Sequence, residues 1–184
     1  TTDLDGNQIT LFHPGAMDAS AQNSVNEARE SRLAIVSPDG REGMILHAEQ
    51  LVSAKIPFVF DPGQGLPMFS GEELAKFVKQ AQWITVNAYE AELMQEKTGM
   101  GINDIAGQVE ALIITRGGEG SDIYVGSEHV KIHVAPTSEI LDPTGCGDAY
   151  RAGILLGIEQ ELSWEVSGRV AALLGAIKIE SHGT

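Results

Sequence analysis

Short apolar runs alternate along this chain with amphipathic stretches of helical period, and few folds accept that alternation. "RLAIV" (Arg32 to Val36), "PFVFD" (Pro57 to Asp61), "WITVN" (Trp83 to Asn87) and "ALIIT" (Ala111 to Thr115) are each long enough for a buried strand and too short for a buried helix. The spacers read as helices: one from about Gly40 to Ser53, then "GEELAKFVKQA" and "YEAELMQEKTG". Strands that alternate with helices imply right-handed βαβ units, hence an α/β fold with a parallel sheet and helices on both faces. After the fourth strand, "SDIYVG" and "EHVKIHV" predict an antiparallel pair. Two helices, about Gly145 to Glu159 and Trp164 to Glu180, close the sequence. Small residues in the last helix (Gly168, Ala171, Ala172, Gly175, Ala176) favour close helix packing over contact with a flat ligand. The opening "TTDLDGNQITLF" predicts two short strands around Asp5-Gly6-Asn7, and a short helical stretch is expected near Ala21 to Glu30.

A formal charge of −14 argues against nucleic acid as the partner, because a phosphate backbone demands many Lys and Arg. An anionic ligand would have to be held locally, by backbone N–H groups, a few cations or a metal. The single cysteine excludes an internal disulfide and fits a reducing compartment, so a cytoplasmic location is expected. No apolar run is long enough to span a bilayer.

Ligands of open α/β sheets bind beyond the carboxyl ends of the strands. Those ends carry Asp61, Asn87 and Thr115, which together point to one polar, occupied edge. Asn87 and Glu90 can face one cleft, although the same spacing fits a capping box, and alone it favours that reading. "TRGGEG" (Thr115 to Gly120) sets a hydroxyl, a cation and glycines after a strand, which suits phosphate oxygens and equally suits a tight turn. "DPTGCGDAYRAG" (Asp142 to Gly153) leads through glycines into a helix whose first turn holds Asp148. Unpaired N–H groups and the helix dipole make that turn an anion site, and Asp148 beside it is either a cap or a base. His129 and His133 lie on the polar face of a strand, which favours a solvated edge over a metal site. Cys146 has no adjacent histidine to make it a nucleophile.

These motifs carry a resemblance. "DPTGCGDAYRAG", "NAYE" and "TRGGEG" resemble the anion-hole signature, the N-x-x-E motif and the nucleotide loop of the PfkB (ribokinase-like) carbohydrate and nucleoside kinases, in that family's order. The surrounding wording, "NQITLFHPGAM" and "GAIKIESHGT", is most similar to the bacterial adenosine-kinase-like branch. The resemblance implies a ribokinase-like sheet over residues 13–184, with residues 1–12 as remaining lid strands and an N-terminal part of the family fold lying outside the sequence. It implies Asp148 as catalytic base and Gly145, Cys146 and Gly147 as the anion hole. Asn87, Thr115, Arg116, Gly117 and Gly120 would serve the nucleotide, and Glu90 would hold Mg²⁺ through water. Asp142 and Pro143 would offer carbonyls to a monovalent cation such as K⁺, and the adenine would lie between the loop before Asp142 and the last helix. The implied reaction is transfer of the γ-phosphate of ATP to a nucleoside, with adenosine foremost. A sugar kinase for ribose or fructose is the alternative within the class, and a homodimer through the lid is a further implication. A catalytically silent member of the fold is the second alternative, disfavoured by the intact Asp148 and anion hole. A nicotinamide-dependent enzyme is disfavoured because no GxGxxG turn follows a strand.

Overall fold

The apolar runs become strands in the order in which they occur. A computed structural model describes residues 13–183, so the expected hairpin of residues 1–12 and Thr184 lie outside the described residues. β1 (Ala34–Val36), β2 (Phe58–Phe60), β3 (Trp83–Asn87) and β4 (Ala111–Thr115) pair in parallel, each with the next. The connections carry α1 (Arg41–Ala54), α2 (Gly71–Gln80) and α3 (Ala88–Thr98), followed by a short α4 (Ile102–Ala106) that the sequence reading did not separate. Right-handed crossovers that always step in the same direction deposit their helices on one face. On that face Phe58, Phe60, Ile84, Val86, Leu112 and Ile114 pack against Met44, Leu74, Phe77, Met94 and Ile105. Phe60 stacks on Phe77 at 4.2 Å, with Phe69 edge-on to both. Alternate residues point the other way, as strand geometry requires. Val59, Trp83, Ala111 and Ile113 meet Tyr150, Ile154 and Ala171 of the last two helices.

The expected antiparallel pair extends the parallel strands into one mixed sheet. β5 (Ser121–Val125) pairs antiparallel with β4, and β6 (Glu128–Ile132) antiparallel with β5, giving the order β1-β2-β3-β4-β5-β6. A parallel partner needs a crossover of a dozen or more residues, and the 116–120 connection is far too short for one. The expected helix near residues 21–30 is absent. Gly15–Gln22 and Val25–Ala28 are 3₁₀ segments, and between them the Ser24 hydroxyl accepts the N–H of Asn26, which starts a new turn instead of continuing the old one.

α5 (Cys146–Glu159) and α6 (Trp164–Ile179) match their expected spans closely. They pack at near backbone contact. A Cβ placed on Gly153 would lie 2.4 Å from the Cα of Ala171, and one on Gly168 would lie 2.5 Å from Ile132. Packing therefore accounts for Gly168 and Ala171 of the small-residue stripe. β6 forms the sheet edge, where His129 stacks on Tyr124 at 4.6 Å and its Nε2 lies 2.7 Å from Asp122 Oδ1. No cluster of three metal-ligating side chains exists among the described residues.

Candidate active site

Parallel strands bring their carboxyl ends to one edge, and the polar residues arrive there together. Asn87 and Thr115 are direct register partners at the ends of β3 and β4. Asp61 follows β2 and continues the ladder, its N–H donating to Val36 O at 2.9 Å. From the opposite face, the first turns of α5 reach the same edge, because Arg151 Nε lies 2.5 Å from Asp61 Oδ2.

Asn87 caps α3 in a full capping box. Its side-chain oxygen accepts the Glu90 N–H at 2.8 Å, and the Glu90 carboxylate accepts from the Asn87 N–H and Nδ2, both at 2.8 Å. The capping reading is therefore correct, and it fixes Glu90 as a buried carboxylate, 7% exposed, at the sheet edge. Each of its oxygens keeps an unused lone pair. This donor set suits Mg²⁺, which holds its waters and is bound through few carboxylates plus substrate phosphates.

The 116–120 turn departs from the expectation at Arg116. Its guanidinium is turned onto Asp122, with Nε 2.5 Å from Oδ2, while the other oxygen of Asp122 takes His129. Desolvation acts to raise the Asp122 pKa, but the hydrogen bonds from Arg116 and His129 outweigh it and hold the carboxyl below its usual range. Arg116 is thus a partner of β5 first. Gly120, at φ +91°, is glycine because a Cβ there would lie 2.1 Å from Ile132 O. Gly117, at φ +54°, and Gly118 both face open space, so with Thr115 they are open to a ligand.

At the start of α5, Gly145 occupies the cap position with φ +80°, a conformation that glycine alone adopts at no steric cost. The Cys146 N–H turns back to Pro143 O at 3.1 Å, so this residue of the expected anion hole uses its N–H within the turn. Burial raises the Cys146 pKa, the largest of its influences, which keeps it a thiol. Asp148 stands in the third helical position but makes no cap hydrogen bond. Its side chain is 81% exposed, and its contact with Arg151 Nη1 is a long 3.5 Å. Asp142 behaves differently. Hydrogen bonds from Thr144 N–H first, and then from Gly183 N–H, bring its pKa down to about 2. The cation beside its carbonyl is the Lys178 ammonium, 3.4 Å away and 3.0 Å from Ser181 O.

Sequence reasoning left Arg151 unassigned and read Asp61 only as a strand end. The available signal was the i, i+3 spacing of Asp148 and Arg151, which puts both on one helix face. A Cβ on Gly147 would lie 2.8 Å from Arg151 Nη1, so the guanidinium lies against the Gly147 backbone.

A sheet edge lined with carboxylates, facing a glycine-capped helix N-terminus, defines an α/β protein of the ribokinase-like class. The profile of the pfkB family of carbohydrate kinases matches residues 1–184, and the chain belongs to that family. It is 31% identical over 182 residues to a nucleoside kinase of Methanocaldococcus jannaschii, covering 99% of this chain and 60% of that protein. It is 50% identical to a solved nucleoside kinase of Burkholderia thailandensis in complex with inosine, with a TM-score of 0.96 over 99% of this chain and 60% of that one. The solved M. jannaschii nucleoside kinase aligns with a TM-score of 0.90 at 30% identity. The chain therefore spans about 60% of the length of these relatives.

Proposed function

We propose that the protein is an ATP-dependent nucleoside kinase in which Asp148 is the general base. The observation that carries this reading is the state of Asp148. It sits at a helix N-terminus yet caps nothing, and its carboxylate is open to solvent. Asp148 would accept the proton of the acceptor hydroxyl while that oxygen attacks the γ-phosphorus. The Gly145–Gly147 backbone and the positive end of α5 would stabilise the oxygens in transit. Thr115 and Gly117 would meet the nucleotide phosphates from the neighbouring strand end. Mg²⁺, when bound beside Glu90, neutralises phosphate charge. The two nucleoside kinases support a nucleoside acceptor, and adenosine and inosine are the acceptors to try first.

The test is phosphate transfer from ATP by the intact protein to adenosine, inosine, guanosine and cytidine, with ribose and fructose alongside. Turnover of a nucleoside well above that of either sugar is expected. Turnover of sugars alone would replace the acceptor. Calorimetric binding of NADH with none of ATP or ADP would replace the class.

A further inference from the structure

We propose that Arg151 contacts the oxygens of the phosphoryl group in transfer, and that Asp61 is the positioning residue that holds its guanidinium over the first turn of α5. The proposal rests on the kinase reading above and adds a side-chain cation to the Mg²⁺ of that reading.

The charge arrangement favours a fixed cation at this edge beside the metal. Asp61, Glu90 and Asp148 lie close enough that both other carboxylates disfavour ionisation of Asp61. A triphosphate approaching three carboxylates is repelled unless a cation stands among them. Arg116 is turned onto Asp122, and Lys178 onto the carbonyls of Asp142 and Ser181. Arg151 is the arginine at the first turns of α5, with its side chain 22% exposed.

The geometry distinguishes this pair from a structural one. Asp122 uses both oxygens, one on Arg116 and one on His129. Asp61 is 2% exposed, yet its Oδ1 has no partner among the described residues. The Arg151 Nε is close to Oδ2, but its N–H is not aligned for a hydrogen bond. Buried ion pairs repay their desolvation only when the remaining donors and acceptors are satisfied. This pair keeps hydrogen-bonding capacity on both sides, at a sheet edge, with Nη1 lying against Gly147. A planar guanidinium there presents its fork to phosphate oxygens.

In the step itself the acceptor oxygen bonds to the γ-phosphorus of ATP, and the bond from that phosphorus to the β-phosphate oxygen breaks. The electron pair leaves with ADP, and the hydroxyl proton passes to Asp148. Arg151 exchanges neither proton nor electron, and its charge offsets that of the three equatorial oxygens.

The experiment uses the intact protein and its Arg151→Met, Arg151→Lys and Asp61→Asn variants. It measures kcat and KM for the best acceptor, and calorimetric affinity for ADP alone and for ADP with aluminium fluoride, a mimic of the group in transfer. Arg151→Met should lower kcat by about 10²-fold or more while acceptor KM moves by less than about threefold. The extra affinity for aluminium fluoride should vanish while that for ADP alone persists. Arg151→Lys should recover part of kcat, and Asp61→Asn should fall between parent and Arg151→Met. Parental kcat in Arg151→Met, or an equal loss of affinity for both ligands, overturns the proposal and leaves the kinase reading standing. If Arg151→Met does not fold, parental kcat in both other variants overturns it equally. A parent that phosphorylates no nucleoside or sugar overturns the kinase reading and this inference together.

Discussion

Arg151 Nε lies 2.5 Å from Asp61 Oδ2, joining the first turns of α5 to the end of β2 across the sheet edge. The contact ties the two faces of the sheet together at the point where the strands end. It also leaves Asp148, one helical turn before Arg151, as an exposed carboxylate flanked by a cation at 3.5 Å. The edge is thereby set up as one charged unit, and its parts can be separated by substitution.

Asp148→Asn keeps the size of the side chain and removes the proton acceptor. General-base assistance is worth about 10²–10⁴-fold, and kcat of the intact protein should fall by that factor. Nucleotide affinity by calorimetry and the melting temperature should hold, since the side chain makes no cap hydrogen bond. Turnover within a few-fold of the parent would remove the base assignment.

The Asp61 carboxyl is raised from 3.8 to about 6, chiefly by burial, with Arg151 opposing and Glu90 and Asp148 adding to the rise. The folded state therefore holds this proton more tightly than the unfolded chain. The resulting stabilisation is full below about pH 4 and is lost as pH rises through about 6. Asp61→Asn abolishes that dependence. The stability of the variant relative to the parent should improve by about 2 kcal/mol between pH 4.5 and pH 7.5. Urea unfolding of both proteins at the two pH values measures it, and a difference independent of pH would refute it.

Glu90→Gln retains an acceptor for one of the two Asn87 donors and removes the charge. Loss of part of a capping box costs about 1 kcal/mol, a few degrees in melting temperature. The Mg²⁺ concentration needed for half-maximal activity should rise by about tenfold or more. If stability falls while the Mg²⁺ requirement stays at the parental value, Glu90 is a cap and nothing else.

Gly153→Ala inserts a methyl group where α5 and α6 touch, 2.4 Å from the Ala171 backbone. Overpacking of this kind costs about 1–3 kcal/mol, read as a lowered urea midpoint. An unchanged midpoint would mean that the two helices can separate without loss.

Much of the chain was legible because the pattern is local. β3 and β4 begin and end where the apolar runs of Trp83–Asn87 and Ala111–Thr115 do. The Asn87–Glu90 spacing foretold a capping box, since cap and partner lie within one helical turn. Residues 21–30 were misjudged because polar residues without an apolar stripe leave helix and 3₁₀ turns nearly equal in energy, and the Ser24 hydroxyl decided between them.

The sequence by itself determined the βαβ alternation, the carboxyl-end placement of Asp61, Asn87 and Thr115, and the glycine-capped start of α5. Periodicity and turn chemistry act over a few residues and can be read along the chain. Only the tertiary structure decided that Arg116 turns to Asp122, that β5 joins β4 in the main sheet, and that Arg151 meets Asp61. Those outcomes depend on strand register and on the helix end that reaches the sheet edge, and packing of the whole core fixes both.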